Sequence, residues 1–325
     1  MMKRVKLDDV AKAAGVTLTT VSRVINNRGY ISERTRKKVK EAMEELHYYP
    51  NDLARSLYKK KTRFIGLIVP TISNPFFGEL TFYVENMLAD LGYKVVLCNS
   101  LDNQKKEESY SEMLIRHQVD GIIVCSHNRG ISTYQRQNIP VVAIDRYLST
   151  TVPVISSDNY KGGKMAVEHL IDKGCKNIVH INGPAQLETP TQLRRKAYED
   201  IVTNPITYEI QDVFDGQQAI ELIRKIFSEV PQVDGIFASD DMIGVSCLNV
   251  AREKGIKVPE ELKIVGYDGT KTLMNIQPNL TTIRQPIESL AQTTVSTLLK
   301  LVDDPEATVD LETILPVKLL ENRTT

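Results

Sequence analysis

Tryptophan is absent from this 325-residue chain, and aromatic residues make up only 6% of it. Any ligand titration must therefore rely on heat or melting temperature rather than indole fluorescence. Cysteine is scarce: Cys98, Cys125, Cys175 and Cys247 are scattered, with no CxxC pair and no histidine at metal spacing. That pattern excludes a disulfide scaffold and a zinc module, and predicts reduced, half-buried thiols. The five histidines, His47, His117, His127, His169 and His180, are dispersed and form no HExxH pair. P-loop, GxSxG and complete GxGxxG motifs are missing as well, so no catalytic centre, metal or cofactor is expected. Paired carboxylates occur, but by themselves they are weak support for a glycosidase. No apolar run approaches the roughly 20 residues of a membrane span. The first 27 residues mix charge with apolar residues and lack a secretory core segment. A soluble, cytoplasmic protein is the expectation.

Net charge is also absent, yet its distribution is uneven. Residues 1–61 hold fifteen Lys and Arg against seven Asp and Glu, which leaves the remainder with 26 against 34. A basic head on an acidic body points to a polyanionic partner for the head alone. A solvated basic surface is the plainer reading if charge is the only signal.

The head supplies more than charge. In LDDVAKAAGVTLTTVSRVIN, Leu7, Val10, Ala11 and Ala14 fall at helical spacing, and Asp8 and Asp9 suit a helix N-terminus. Gly15 sits where a sharp turn favours positive φ. Thr17 or Thr19 can cap a second helix that carries Val21, Val24 and Ile25 inward. Small Ala11, turning Gly15 and angle-filling Val21 describe a helix-turn-helix. The exposed positions would then be Leu18, Thr19, Thr20, Ser22, Arg23 and Asn26. Arg23 suits a bidentate guanine contact, while Leu18 and Thr19 suit base edges or thymine methyls. Thr20 and Ser22 suit phosphate as well as base, and Thr17 joins them at the helix start. Ser32 opens a third, cationic helix fit for phosphate contact. In YYPNDLARSLYKKK, Pro50 ends the preceding structure, Asn51 can cap, and residues 52–58 form two turns too short to be stable alone. Leu53, Ala54 and Leu57 share one face. A linker and a DNA-induced helix with Leu57 as minor-groove wedge both fit.

From Arg63 onward, apolar runs alternate with helical stretches. FIGLIV, VVLCN, GIIVCS and VVAID read as strands separated by amphipathic segments near residues 75–91, 104–117 and 130–138. NIVHING, DGIFASD and LKIVGYD form a second set. The alternation predicts two α/β lobes, each a doubly wound parallel sheet covered on both faces. Ligands in such sheets bind beyond the carboxyl ends of the strands. Those ends supply Ser73, Asn74, Phe76 and Phe77, then Asp145 and Arg146, then Ser239, Asp240 and Asp268. Arg194 follows near the start of a helix. Carboxylates, an arginine and aromatic faces suit a polyol. Plainer roles stay open, with Asp145, Asp240 and Asp268 as helix caps and Phe76 and Phe77 as core.

The run from VKLDDVAKAAGVTLTTVSRVIN through KTRFIGLIVPTISNPFF resembles the lactose/galactose repressor family almost without gaps. The similarity continues through DGIIV, AIDR, SSDNYKGG, FASDDMIGV, IVGYDG and LTTIRQP to the C-terminus. It is nearest to local sugar-operon repressors of ribose or sucrose type. The resemblance implies a head over 1–49, a hinge over 50–62, and a periplasmic-binding-protein-like core over 63–325. Within the core it implies an N-lobe of about 63–158 plus 287–314 and a C-lobe of about 159–284 plus 315–325. It further implies a cytoplasmic, nucleoid-associated homodimer on near-palindromic DNA, with Asn51, Ala54 and Leu57 facing the minor groove. Asp145, Arg194 and Asp268 would contact a sugar or sugar phosphate, with Phe214 and Gln285. The Phe214 match is inexact, because DVFDGQQA departs from the usual spacing. The expected function is a sugar-operon repressor released by its effector. The rival is a catabolite-control regulator whose DNA binding a corepressor promotes.

Overall fold

The computed structural model describes residues 5–49, 61–128, 131–135, 139–187, 189–212 and 215–325. Contacts divide the chain into two units, 1–62 and 63–325.

The first unit contains α1 (Leu7–Ala14), α2 (Leu18–Ile25) and α3 (Glu33–Glu45). Gly15 takes φ +63° at the end of α1, and the Val16 amide donates to the Ala11 carbonyl, which turns the chain into α2. Thr17 caps α2, its hydroxyl accepting from the Thr20 amide at 3.2 Å. Ser32 caps α3 in the same way through Thr35. Val10, Ala11, Ala14, Val21, Val39 and Ala42 form the buried centre, with Leu7, Val16, Val24, Ile25 and Met43 packed around it. A core this small leaves little margin, so each cap, worth about 1 kcal/mol, is a sizeable share of the unit's stability.

The second unit carries two six-stranded sheets. The first is built from β1 (Phe64–Val69), β2 (Lys94–Asn99), β3 (Gly121–Val124), β4 (Val141–Ile144), β5 (Val154–Ser157) and β11 (Glu312–Leu315). Its order is β11-β5-β4-β3-β1-β2, with every pair parallel. The second contains β6 (Ile178–Asn182), β7 (Ile206–Glu209), β8 (Gly235–Ala238), β9 (Lys263–Asp268), β10 (Thr281–Arg284) and β12 (Lys318–Leu320). Its order is β12-β10-β9-β8-β6-β7, and only β12 runs antiparallel to its neighbour.

Helices cover both faces of each sheet, which is why β1, β3, β4, β6 and β8 are near-continuous apolar runs. On the first sheet, α4 (Pro75–Asp90) and α11 (Ile287–Asp303) share one core, and α5 (Gln104–Arg116) contributes to the opposite one. On the second, α8 (Gly216–Glu229) and α9 (Asp241–Glu253) lie on one face, with α10 (Lys271–Ile276) at its edge; α6 (Asn159–Asp172) and α7 (Thr191–Ile201) cover the other. The stretch near 130–138, read as helical, contains a 3-10 turn over Ser132–Gln135 instead.

The chain crosses between sheets three times, after β5, after β10 and after β11. β11 ends at Leu315, one residue past the lobe edge expected at about 314. No described helix is long and apolar enough to cross a membrane.

Candidate functional site

The first unit presents an outward face along α2. Thr17, Leu18, Thr19 and Arg23 are exposed, Leu18 by 48%. Thr20, Ser22 and Asn26 are half-buried. The Thr17 and Thr20 hydroxyls lie 2.9 Å apart, and the Asn26 amide donates to the Ser22 carbonyl at 2.8 Å. These three therefore have a local structural task, and Thr17 has its cap, whatever else they contact. Asn51, Ala54 and Leu57 fall outside the described residues.

In the second unit, a cavity of about 110 Å³ opens between the two lobes. Asn74, Phe76, Phe77, Asp145, Arg194, Ser239, Asp240, Asp268 and Gln285 all line it. Among the lining residues that sequence reasoning passed over are two titratable ones, Asp102 and His127. Both follow strand ends, β2 and β3, by three residues. The strand-end rule that singled out Asp145 would have found them.

Arg194 is the centre of the site. It stands on the first turn of α7 and is 3% exposed. Its Nε donates to Asn159 Oδ1 at 2.9 Å and its Nη1 to the Ser239 carbonyl at 2.5 Å. Its guanidinium lies 3.5 Å from the Tyr267 ring centroid, and Asp268 Oδ1 is 3.8 Å from Nη1. A planar cation held this way keeps its direction without a ligand. The glycine pair of NYKGGKMA makes the approach possible: a Cβ on Gly163 would sit 2.7 Å from the Arg194 carbonyl oxygen, and one on Gly162 would run into Tyr267 Oη.

Acceptors surround the arginine. Asp145 Oδ1 accepts from the Ser157 amide at 3.2 Å and from Asn159 Nδ2 at 3.1 Å. Asp268 Oδ1 accepts from Gln285 Nε2 at 2.7 Å. Burial pushes Asp145 up to about 6 and Asp268 up to about 7, against the pull of Arg194. Asp102 is likewise pushed up to about 6, first by burial and then by Glu107. His127 goes the other way, to about 3, because burial and the nearby arginines disfavour a second proton. It is a neutral imidazole near pH 7, able to donate and accept one hydrogen bond each. Asp102 Oδ1 and Gln285 Oε1 are buried without a hydrogen-bond partner among the described residues. Such groups match the vicinal hydroxyls of a polyol.

Asn74 and Asp240 hold helix N-termini in addition, accepting from the Phe76 amide at 2.9 Å and the Ile243 amide at 2.8 Å. Phe76 is buried in the first-lobe core, Phe77 packs partly against it, and the two rings meet edge to face at 5.2 Å. The structural and cavity-lining readings of these residues thus coexist.

Arg146 departs from expectation. It does not line the cavity; its Nη1 donates to Glu107 Oε1 at 2.9 Å and to the Ser126 carbonyl at 2.7 Å. Its Nη1 is thus committed to a fully buried carboxylate, the pairing that a buried charge requires. Phe214 lies outside the described residues. All four cysteines are free and buried, and no cluster of His, Cys, Asp and Glu among the described residues is arranged to hold a metal.

Residues 6–51 match the model for bacterial regulatory proteins of the lacI family, and residues 167–325 match a periplasmic binding protein-like domain. The chain is 46% identical to a sucrose operon repressor of Pediococcus pentosaceus, over 98% of this chain and 99% of the relative. It is 38% identical to a ribose operon repressor of Halalkalibacterium halodurans, over 98% and 96%. Among solved structures, a lac repressor dimer bound to operator and an anti-inducer superposes with a TM-score of 0.86 at 27% identity, covering 99% of each chain.

Proposed function

The chain belongs to the lacI family of bacterial regulatory proteins, and we propose that it represses a sugar-utilisation operon until a small sugar in the cleft releases it. It is a DNA-binding regulator with a sugar-binding core, not an enzyme, and it binds operator DNA as a homodimer. The observation that carries the reading is one chain holding both an outward helix-turn-helix face and a buried, acceptor-rich cavity around Arg194.

Two-fold symmetry puts two α2 helices on successive half-sites, so the operator is near-palindromic. Leu18, Thr19 and Arg23 read bases, while Thr17, Thr20, Ser22 and Asn26 set the register, and Asn51, Ala54 and Leu57 meet the minor groove. The cleft carboxylates, Arg194, His127 and Gln285 hold the sugar, and Phe77 offers an apolar face beside it. Closing the lobes on the sugar biases the dimer against its DNA-bound form; such coupling is about 1–3 kcal/mol, a 5- to 150-fold change in operator affinity. The working place of such a repressor is the cytoplasm, on the nucleoid. Ribose, sucrose and fructose are the first sugars to test.

The experiment selects duplexes from a random pool with purified full-length protein. Anisotropy of the winning duplex is then followed while each sugar and its phosphate ester is added. Selection of a palindrome whose affinity falls on adding a sugar is the expected result. Affinity that rises with ligand would replace induction by corepression, and absence of any preferred duplex would refute the reading.

A further inference from the structure

The two carboxylates that flank Arg194 share an unusual feature. Asp145 has φ +53° and Asp268 has φ +114°, in a region that residues with a Cβ seldom occupy. Such conformations persist only where the surroundings over-determine them. In both cases the next residue is tied to a buried carboxylate that does not itself line the cavity. Arg146, after Asp145, donates to Glu107. Gly269, after Asp268, donates its amide to Asp241 Oδ2 at 2.7 Å.

We propose that Glu107 and Asp241 are positioning residues which lock the strained backbones at Asp145 and Asp268 and so fix both cleft carboxylates for the effector. The inference rests on the effector-site reading above and extends it to residues behind the site.

Each acid gathers donors from several elements. Glu107, wholly buried on α5, accepts from Arg146, from Tyr134 Oη at 2.9 Å and from Asn128 Nδ2 at 2.6 Å. The strand end that bears Asp145 is thereby joined to α5 and to the segment after β3. Asp241, 3% exposed at the start of α9, accepts from Gly269 and, through Oδ1, from Thr282 Oγ1 at 2.6 Å. The turn that bears Asp268 is thereby joined to α9 and β10. The fit is close: a Cβ on Gly266 would run into Asp241 Oδ1, and one on Gly269 would lie 2.9 Å from the Arg284 backbone. Asp240 and Asp241, adjacent in sequence, divide the labour. Asp240 lines the cavity, and Asp241 holds the turn behind it. Equivalent devices built from different parts in the two lobes argue for a shared purpose, because a generic core would be filled with apolar side chains at lower desolvation cost.

The test is a pair of double-mutant cycles on the full chain, read by calorimetric titration with D-ribose, D-fructose and sucrose. Asp241→Ala removes both acceptor oxygens; Asp241→Asn would not, because the Thr282 hydroxyl can accept from an amide while the remaining oxygen keeps the Gly269 N–H. Asp241→Ala should weaken binding of the responding sugar on the order of tenfold, and the Asp241→Ala/Asp268→Asn double variant should lose no more than Asp268→Asn alone. Glu107→Ala with Asp145→Asn should behave alike. Thr282→Val, which removes one donor and keeps Asp241, gives a smaller loss of the same sign should Asp241→Ala not fold. Hydrogen exchange at the Gly269 amide supplies a sugar-independent readout: it should be slow in the parent and fast in Asp241→Ala. Additive losses in the cycles, or a Gly269 amide that exchanges equally in both, would overturn the positioning role. If Asp145→Asn and Asp268→Asn themselves leave the binding of every sugar unchanged, it is the effector-site reading that fails.

Discussion

The α2 face of the head and the cleft of the core solve opposite problems. On α2, the candidate contact residues lie within ten positions of one another, with Thr17, Leu18, Thr19 and Arg23 exposed, held by bonds that rarely leave the helix. In the cleft, cavity-lining residues from Asn74 to Gln285 are drawn from both lobes, and most are buried with partners remote in sequence. A surface that must meet a large polyanion needs local order and open side chains. A cavity that must discriminate a small molecule needs desolvation and direction, which only long-range packing supplies.

The contrast predicts that damage in the core spreads while damage in the head stays local. The largest effect is expected for Arg146→Met, which leaves Glu107 wholly buried with its cationic partner gone and should cost about 3–5 kcal/mol. Denaturant unfolding measures it, and a loss under about 1 kcal/mol would mean that the pair is dispensable. Next comes Arg23→Ala, which should lower affinity for the selected operator by roughly ten- to a hundredfold and relax its base preference without lowering the melting temperature. Equal losses on operator and random duplex would assign Arg23 to phosphate instead. Thr17→Ala removes the α2 cap and should destabilise the head by about 1 kcal/mol. Melting followed by head-specific amide signals would detect it, and a core transition that moved with it would break the distinction between the units.

The remaining expectation concerns pH. Asp145 and Asp268 are raised to about 6 and 7, above their ordinary value near 4. The folded core therefore holds protons more tightly than the unfolded chain. That contribution to stability is complete below pH about 4 and is lost as pH rises through 6 to 7. The melting temperature without added sugar should accordingly decline over that window by more in the parent than in Asp268→Asn. Identical pH profiles would mean that Asp268 is solvated after all.

Much of this was legible from residues alone, for reasons that differ between the regions. Helical spacing, Gly15 and the capping threonine are local signals, so the head could be read directly. Buried parallel strands are also readable, as apolar runs, and the residues after them gave most of the cavity lining. β5, β7, β10, β11 and β12 were not read, because short or edge strands carry polar residues and no distinctive period. That Arg146 Nη1 turns to Glu107 was not foreseen, because the strand-end rule finds a position and not a direction. Its partner Glu107 is 39 residues away, on a helix whose spacing gives no hint of burial.

Composition, charge division and motif order thus determined by themselves that a basic helix-turn-helix head precedes two α/β lobes with charged and aromatic residues at their strand ends. Tertiary structure alone decided which way each of those residues points, that Asp102 and His127 join them, and that Glu107 and Asp241 stand behind them. The physical reason is that hydrophobic periodicity is set by near neighbours along the chain, whereas a buried charge takes its orientation and protonation from whatever distant donors the folded chain brings within reach.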